Sequence, residues 1–383
     1  MKRYGNIYEK ICEYDNLKLA HHNARKGKTW YKEVQKVDKN EEFYLLELQK
    51  SLINKTYKTS EYIIFNIVDK GKEREIYKLP YFPDRICQWA IMLQIERIII
   101  STFTDFSCAA IPNKGIHYAS NLLGKYMKNE EDTTYCLKMD IKKFFPNINH
   151  GILKQLLRKK FKDEDLLWLL DEIIDSVHED SGIPIGNYIS QYLANFYLTY
   201  FDHWLKEEKK LKYVIRYMDD IVILHHSKEH LHQIRKEIQE YLCEKLLLEL
   251  KDNYQVFPTR VRGVDFVGYR HFGDYKLLRK TTAKQFKRKM RKINKYKTLS
   301  YSNICTINSY KGWLKWADCN RLEKKYIGVL SSKIKEYEYE KLIIKKHNKQ
   351  LKNQKEWREV IELLNKSDSE EDGNYESTIN NKA

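Results

Sequence analysis

The tetrapeptide Tyr217-Met218-Asp219-Asp220 constrains this chain more than any other stretch, because it sets two adjacent carboxylates between two strand-like runs. Lys212 to Arg216 reads Lys-Tyr-Val-Ile-Arg, and Ile221 to Leu224 reads Ile-Val-Ile-Leu. β-Branched and aromatic enrichment on both sides of a short polar tip predicts an antiparallel hairpin. Two acids on the tip of a half-buried hairpin repel one another and lose water, so the arrangement demands compensation. Divalent cations held by oxygen ligands are the usual remedy, and they call for a third carboxylate close by. A solvated acidic turn without chemistry is the plain alternative.

Composition narrows the class. A chain of 383 residues can bury a large core and is expected to form two or three domains. Hydrophobic residues at 42% and 29 tyrosines exclude a largely disordered polymer. The formal charge of +17 points to a polyanionic partner, nucleic acid before membrane. Tyrosines scattered among lysines suit contacts to bases and sugars as well as to phosphates. The cysteines (Cys12, Cys87, Cys108, Cys136, Cys243, Cys305 and Cys319) are widely spaced and form no CxxC pair. Neither a zinc site nor a disulfide framework is expected, and reduced thiols fit a cytoplasmic protein. No apolar run follows Met1-Lys2-Arg3-Tyr4-Gly5, so a signal peptide is not expected. Ile91 to Ile100 is interrupted by Gln94, Glu96 and Arg97 and reads as a packed helix, with no membrane association expected.

Along the chain, residues 6 to 55 read as helices with basic faces. Arg25-Lys26-Gly27-Lys28-Thr29 ends like a phosphate-binding loop, but the first glycine of that motif would fall on His22, which rules it out. Tyr62 to Val68 and Arg74 to Tyr77 are expected strands, joined by the turn Lys70-Gly71-Lys72. Pro83-Asp84 should open a helix to about Ile100, with the acid near its N-terminus. Further helices are expected over 150–160, 164–177, 188–206 and 228–247, and short strands near 254–257 and 263–271. Gly182-Ile183-Pro184-Ile185-Gly186 reads as a loop. From 276 to about 350 the chain reads as helical and densely basic, with Tyr310, Trp313 and Trp316 as core, and 367–383 as a disordered tail. His225, His226, His230 and His232 lack cysteine partners and read as surface or core histidines.

The third acid is Asp140, at the end of the alternating strand Tyr135-Cys136-Leu137-Lys138-Met139-Asp140-Ile141. If that strand neighbours the hairpin, Asp140, Asp219 and Asp220 converge at a sheet edge. Three such carboxylates, helped by the main-chain carbonyl of Ile141, would hold two Mg²⁺ ions about 4 Å apart, with Mn²⁺ as a substitute, for in-line attack on a phosphate.

Four segments carry a resemblance. Leu137 to Phe145 resembles the first catalytic motif of reverse transcriptases, and Tyr217-Met218-Asp219-Asp220 their YxDD motif. Arg74-Glu75-Ile76-Tyr77-Lys78-Leu79-Pro80 with Asp84-Arg85-Ile86 resembles their fingers motif, and Gly263 to Arg270 the segment that grips the primer. The four stand in the family's order and cover roughly residues 10 to 320. The resemblance implies an α+β right-hand polymerase. It comprises an N-terminal extension and fingers (1–100), a palm with antiparallel sheet (101–275, with a finger segment at about 150–182), a basic helical thumb (276–355) and a tail (356–383). It implies RNA-templated synthesis of DNA from dNTPs on a primer, with template RNA and the cDNA primer or product as partners.

Within that family, Ile185-Gly186-Asn187-Tyr188-Ile189-Ser190-Gln191 departs from the usual pattern of glutamine before the glycine and proline after the serine. Ile185 and Gln191 there resemble the reverse transcriptases of diversity-generating retroelements. That resemblance implies a template-repeat RNA, misincorporation opposite adenines and a small basic accessory variability protein. Glutamine can hydrogen-bond at this loop, whereas Ile185 recognises by shape alone, which should weaken discrimination between correct and mismatched pairs. A packed loop isoleucine is the plain reading.

By position, Phe145 matches the aromatic gate against a ribose 2′-hydroxyl, with Phe144 turned to the core. Arg74 matches the arginine that grips the triphosphate, with Lys72 beside it. Gly186 joins Ile185 and Gln191 in the nucleotide-facing loop. Lys251 matches a palm lysine near the leaving group, or is a solvated lysine. Tyr217, Met218, Gly268, Tyr269 and Arg270 are the expected primer contacts. A phage-defence or retron-like reverse transcriptase and a non-catalytic RNA-binding scaffold are the competing readings, and the presence of all three acids speaks against the scaffold.

Overall fold

A computed structural model describes residues 2–69, 72–177, 180–339 and 341. The chain divides into two compact units, Met1–Lys276 and Leu277–Ala383. The expected tail, residues 356–383, lies outside the described residues, as do 342–355 of the expected thumb.

The centre of the first unit is a four-stranded antiparallel sheet. Its strands are β3 (Tyr135–Asp140), β4 (Val214–Tyr217), β5 (Asp220–His225) and β6 (Gln255–Pro258), in the order β4-β5-β3-β6. Alternation along each strand sends neighbours to opposite faces. Leu137, Met139, Val214, Ile221 and Ile223 join a large core with the helices Ser190–Tyr197 and Lys228–Leu246. Cys136, Ile215, Val222 and Leu224 face the other way, onto Ala119 and Leu123 of the helix Ile116–Tyr126 and onto Phe266. A sheet covered on both faces reads as the nearly continuous apolar runs seen in the sequence.

The hairpin of β1 (Ile63–Asp69) and β2 (Lys72–Lys78) stands apart, with Ile63 and Val68 exposed. A second hairpin, β7 (Val264–Phe266) and β8 (Tyr269–His271), turns through Val267 and Gly268, both at positive φ. Positive φ at both turn residues suits the right-handed twist of flanking strands. Helices begin where the sequence supplies caps: Asn149 accepts from Ile152 N, Asp163 from Leu166 N and Ser227 from His230 N. Asp163 also accepts from Ile7 N and Tyr8 N, tying the first helices to this unit.

One expectation holds and two are corrected. The helix expected from Pro83-Asp84 is present: the turn Tyr81–Arg85 kinks at Phe82 and runs on into Ile86–Ile100, and Asp84 in its first turn is fully buried, accepting from Tyr57 Oη and Ser60 N at 3.0 Å each. It ties the start of this helix to Tyr57 and Ser60. The helix expected over 188–206 breaks at Leu198 (φ −92°, ψ 1°) into Ser190–Tyr197, Thr199–His203 and a wide turn. In the second unit, Ile307 and Leu314 are the buried residues of the helix Tyr301–Leu314, and Trp316 is 36% exposed. Tyr310 is only half-buried, with its ring centroid 5.3 Å from that of Phe286. Helical spacing alone puts the large aromatics inward, but the shorter branched side chains fill the interior. The described part of this unit is helical and basic on the helix Lys280–Asn294, whose buried residues are Phe286, Met290 and Ile293.

Among the described residues, no helix is long and apolar enough to cross a membrane. The His225 ring stacks on that of His226 and lies tilted against that of His230, ring centroids 4.2 Å apart in each pair.

Candidate active site

Register places the acids. Asp140, the last residue of β3, lies directly opposite Asp220, the first residue of β5. Like charges facing across a ladder are destabilising. Lys138, two residues before Asp140 on the same strand, therefore shares its face. Its Nζ lies 3.4 Å from Asp220 Oδ2 and donates to the Asp265 carbonyl at 2.7 Å. Asp219 sits in the turn. Its carbonyl accepts from Ile141 N at 3.0 Å, which extends the β3 pairing past Asp140. Met218 before it has φ 55°, the left-handed region that side chains disfavour.

Lys251 closes the group. Its Nζ is 4.0 Å from Asp140 Oδ1 and 3.9 Å from Asp219 Oδ2, and its main-chain N donates to the Asp140 carbonyl at 2.9 Å. Lys251 thus lies against two of the three carboxylates, with its side chain one-third exposed.

Electrostatics follow from this packing. Burial, helped by the nearby Asp140 and Asp219 charges, pushes the Asp220 carboxyl up to about 7 against the opposing pull of Lys138. Burial also raises Asp219, while Lys251 and Arg74 act to lower it. That influence brings Arg74, on β2, into electrostatic range of the tip. Asp220 Oδ1 is buried and accepts no hydrogen bond.

Full convergence of the three carboxylates was the expectation. Among the described residues no three acidic, histidine or cysteine side chains form a ready metal cage. Asp140 and Asp219 instead share one ammonium, and Asp220 keeps a second one, because repelling anions spread over the cations at hand. The donor set nevertheless suits a hard divalent ion. It is all oxygen, two of its members already face a common cation, and one buried oxygen lacks a partner.

The loop Ile185-Gly186 is fastened to the β1–β2 hairpin. Tyr77 N donates to the Ile185 carbonyl at 3.1 Å. Gly186 has φ 133°, and a Cβ there would lie 2.6 Å from the Tyr77 carbonyl oxygen, so only glycine fits. Ile185 is half-buried and Gln191 exposed. Behind β2 a cavity of about 530 Å³ is lined by Lys28, Tyr31, Phe65, Ile76, Arg85 and Tyr188 among others. It does not include the acids. Phe144 is buried and Phe145 half-buried, their ring centroids 5.6 Å apart. Of Lys72 only the backbone is described, opposite Asp69 in the hairpin.

Tyr269 is a correction. Its side chain is fully buried and its hydroxyl lies 3.3 Å from His117 Nδ1, so it anchors the β7–β8 hairpin and cannot face a primer. Arg270 is half-buried with its guanidinium over the Phe272 ring, 5.7 Å from the centroid. Gly268 remains in the turn (φ 91°), and Tyr217 and Met218 are half-buried at the acidic tip.

Two residues escaped the sequence reading. Lys138 could have been found from its i, i+2 spacing to Asp140. Arg216, fully buried beneath the tip, shares the parity of buried Val214 on β4.

The model of a family described as reverse transcriptase (RNA-dependent DNA polymerase) matches residues 58–271, more than half of the chain and every acid of this site. The chain belongs to the reverse transcriptase family. Its α+β make-up with an antiparallel sheet is that of the right-hand polymerase class. Protein YkfC of Escherichia coli (strain K12) is 25% identical over 242 residues, covering 52% of this chain and 63% of that protein. The group II intron-encoded protein LtrA of Lactococcus lactis subsp. cremoris is 27% identical over 194 residues, covering 47% and 32%. The chain thus spans less than two thirds of the length of these curated relatives. A solved telomerase from Candida albicans, in complex with a TWJ fragment of telomeric RNA, is similar at a TM-score of 0.46 and 11% identity. That match covers 76% of this chain and 61% of the other.

Proposed function

We propose that this reverse transcriptase family member is an RNA-directed DNA polymerase whose reaction centre is Asp140, Asp219 and Asp220. The observation that carries the reading is the register of Asp140 against Asp220 with Asp219 adjacent, two of the three acids facing one cation. Asp140, Asp219, Asp220 and the Ile141 carbonyl would hold the divalent ions, Mg²⁺ first. When bound, such ions lower the pKa of a primer hydroxyl and neutralise the triphosphate.

The chain's own residues supply the rest. Arg74, in range of Asp219, offers a permanent fork for the triphosphate. Lys72 precedes it on the same strand. Lys251 sits against two of the carboxylates and balances charge near the leaving pyrophosphate. Phe145, packed against buried Phe144, presents a ring that would collide with a 2′-hydroxyl and favour deoxynucleotides. Lys28, Arg85 and the aromatic side chains of the neighbouring cavity suit a nucleic-acid strand, since cations meet phosphates and rings stack on bases. Primer contacts fall to Tyr217, Met218, Gly268 and Arg270.

The finer reading is a diversity-generating enzyme that copies a template-repeat RNA with errors at adenines, aided by a small basic accessory protein. Ile185 supports it: its carbonyl is taken by Tyr77 N, and its side chain offers only carbon. Sequencing cDNA made on the native template RNA tests this. Errors concentrated opposite adenines are expected, and errors spread evenly over the four template bases would remove the diversity-generating role while leaving the polymerase.

A further inference from the structure

Arg216 lies beneath the acidic tip, on the helix-covered face of the sheet, and its side chain is fully buried. A buried guanidinium must find acceptors for five N–H groups. Nε donates to Asp202 Oδ1 at 2.7 Å and Nη2 to Asp202 Oδ2 at 2.5 Å, a two-pronged pair. Nη2 also donates to Ser107 Oγ at 2.7 Å, and Nη1 to Asn195 Oδ1 at 3.0 Å. The other direction of Nη1 goes to the main-chain carbonyl of Met218 at 3.1 Å.

The supports are themselves fixed. Ser107 Oγ donates to Asp202 Oδ2 at 2.7 Å, and Asn195 Nδ2 donates to the Ala109 carbonyl at 2.7 Å, which turns its oxygen toward the arginine. The Arg216 main chain is held as well: its N donates to the Phe106 carbonyl and its carbonyl accepts from Cys108 N, both at 3.0 Å.

What this fork holds is the peptide leading into Asp219. The peptide leaving Asp219 is held from the other side, by Ile141 N. Fixing both peptide planes fixes the direction in which the Asp219 side chain leaves the turn, despite the disfavoured φ at Met218. We propose that Arg216 is a positioning residue for the catalytic tip, acting through the Met218 carbonyl and held in place by Asp202, Asn195 and Ser107. Its kinetic consequence rests on the polymerase reading.

The test compares full-length wild type, Arg216→Lys and Ser107→Ala. Three quantities are measured: kcat and dNTP KM in Mg²⁺-dependent primer extension on RNA, and hydrogen exchange at the Ile141 amide, with the Met139 amide in mid-strand as reference. Lysine keeps the charge for Asp202 but cannot span to Met218. Arg216→Lys should lower kcat about a hundredfold, with KM changed less than about threefold, as expected for misplacement of reacting groups by an ångström. Exchange at Ile141 should rise while Met139 stays protected. A kcat within about threefold of wild type with unchanged Ile141 exchange would overturn the proposal, and so would a rise at both amides alike. Should Arg216→Lys fail to fold, Ser107→Ala decides: a smaller kcat loss with selective exchange at Ile141 supports the clamp, and no selective change refutes it. An inactive wild type would strike down the polymerase reading instead, and the two amides would still decide the clamp.

Discussion

Two ionic clusters lie on opposite faces of the same sheet, a few residues apart in sequence, and they are built to opposite rules. Beneath the tip, Arg216 and Asp202 are wholly buried, and each guanidinium donor is met by an acceptor. At the tip, Asp140, Asp219 and Asp220 hold lysines at 3.4 to 4.0 Å, and one buried oxygen has no partner. A saturated network rigidifies, whereas an unfinished one retains capacity for something that binds later. The finished cluster supports the sheet, and the unfinished one is the candidate for binding a ligand.

Breaking each cluster should give different combinations of lost rate and lost stability, and the largest effect belongs to activity. Asp219→Asn or Asp220→Asn should cut primer extension by about a thousandfold, the scale of losing a key electrostatic group. Asp220→Asn should nevertheless leave the melting temperature unchanged or raise it, because burial and like charges already disfavour that carboxylate. Breaking the buried pair should cost stability as well as rate. Arg216→Ala strands Asp202 without a counter-charge and should cost about 3–5 kcal/mol in urea unfolding.

Gly186→Ala should cost about 1–3 kcal/mol, from strain at φ 133° and the clash with Tyr77 O, measured by the same unfolding curves. Its extension rate should fall too, since that loop fastens β2 to the chain entering the helix Ser190–Tyr197. A further effect is one of pH. An unfolded aspartate titrates near 3.9, and Asp220 in the folded chain near 7. Between these values the folded state keeps a proton that the unfolded state has lost. Stability should therefore fall as pH rises through that window. Asp220→Asn should flatten the slope, and an unchanged slope would put the burial argument in doubt.

How much of this could be read from the sequence differs by locality. The hairpin around Asp219-Asp220 was legible because its signal is local: β-branched flanks and a short tip. The partnership with Asp140 was legible only through motif order, since the register of strands some eighty residues apart is set by packing of both sheet faces. Lys251 was half-legible, because nothing in its neighbourhood reveals that its ammonium bridges two carboxylates. Arg216 was missed although strand parity grouped it with buried Val214, because a charged residue is expected to face water and its acceptors come from three distant segments. Tyr269 was misread for the converse reason: a tyrosine beside a turn suits nucleic acid, and only the hairpin's packing buries it. Asp84 was legible as an acid near a helix start, but not its burial against Tyr57 and Ser60, which come from a distant segment.

The central claim is tested most directly by RNA-templated primer extension with Mg²⁺, comparing wild type with Asp219→Asn at matched folded fraction. DNA synthesis by the wild type and its loss in the variant is the expected result. Equal synthesis by both, or none by either across metals and templates, would contradict a reaction centre built on Asp140, Asp219 and Asp220.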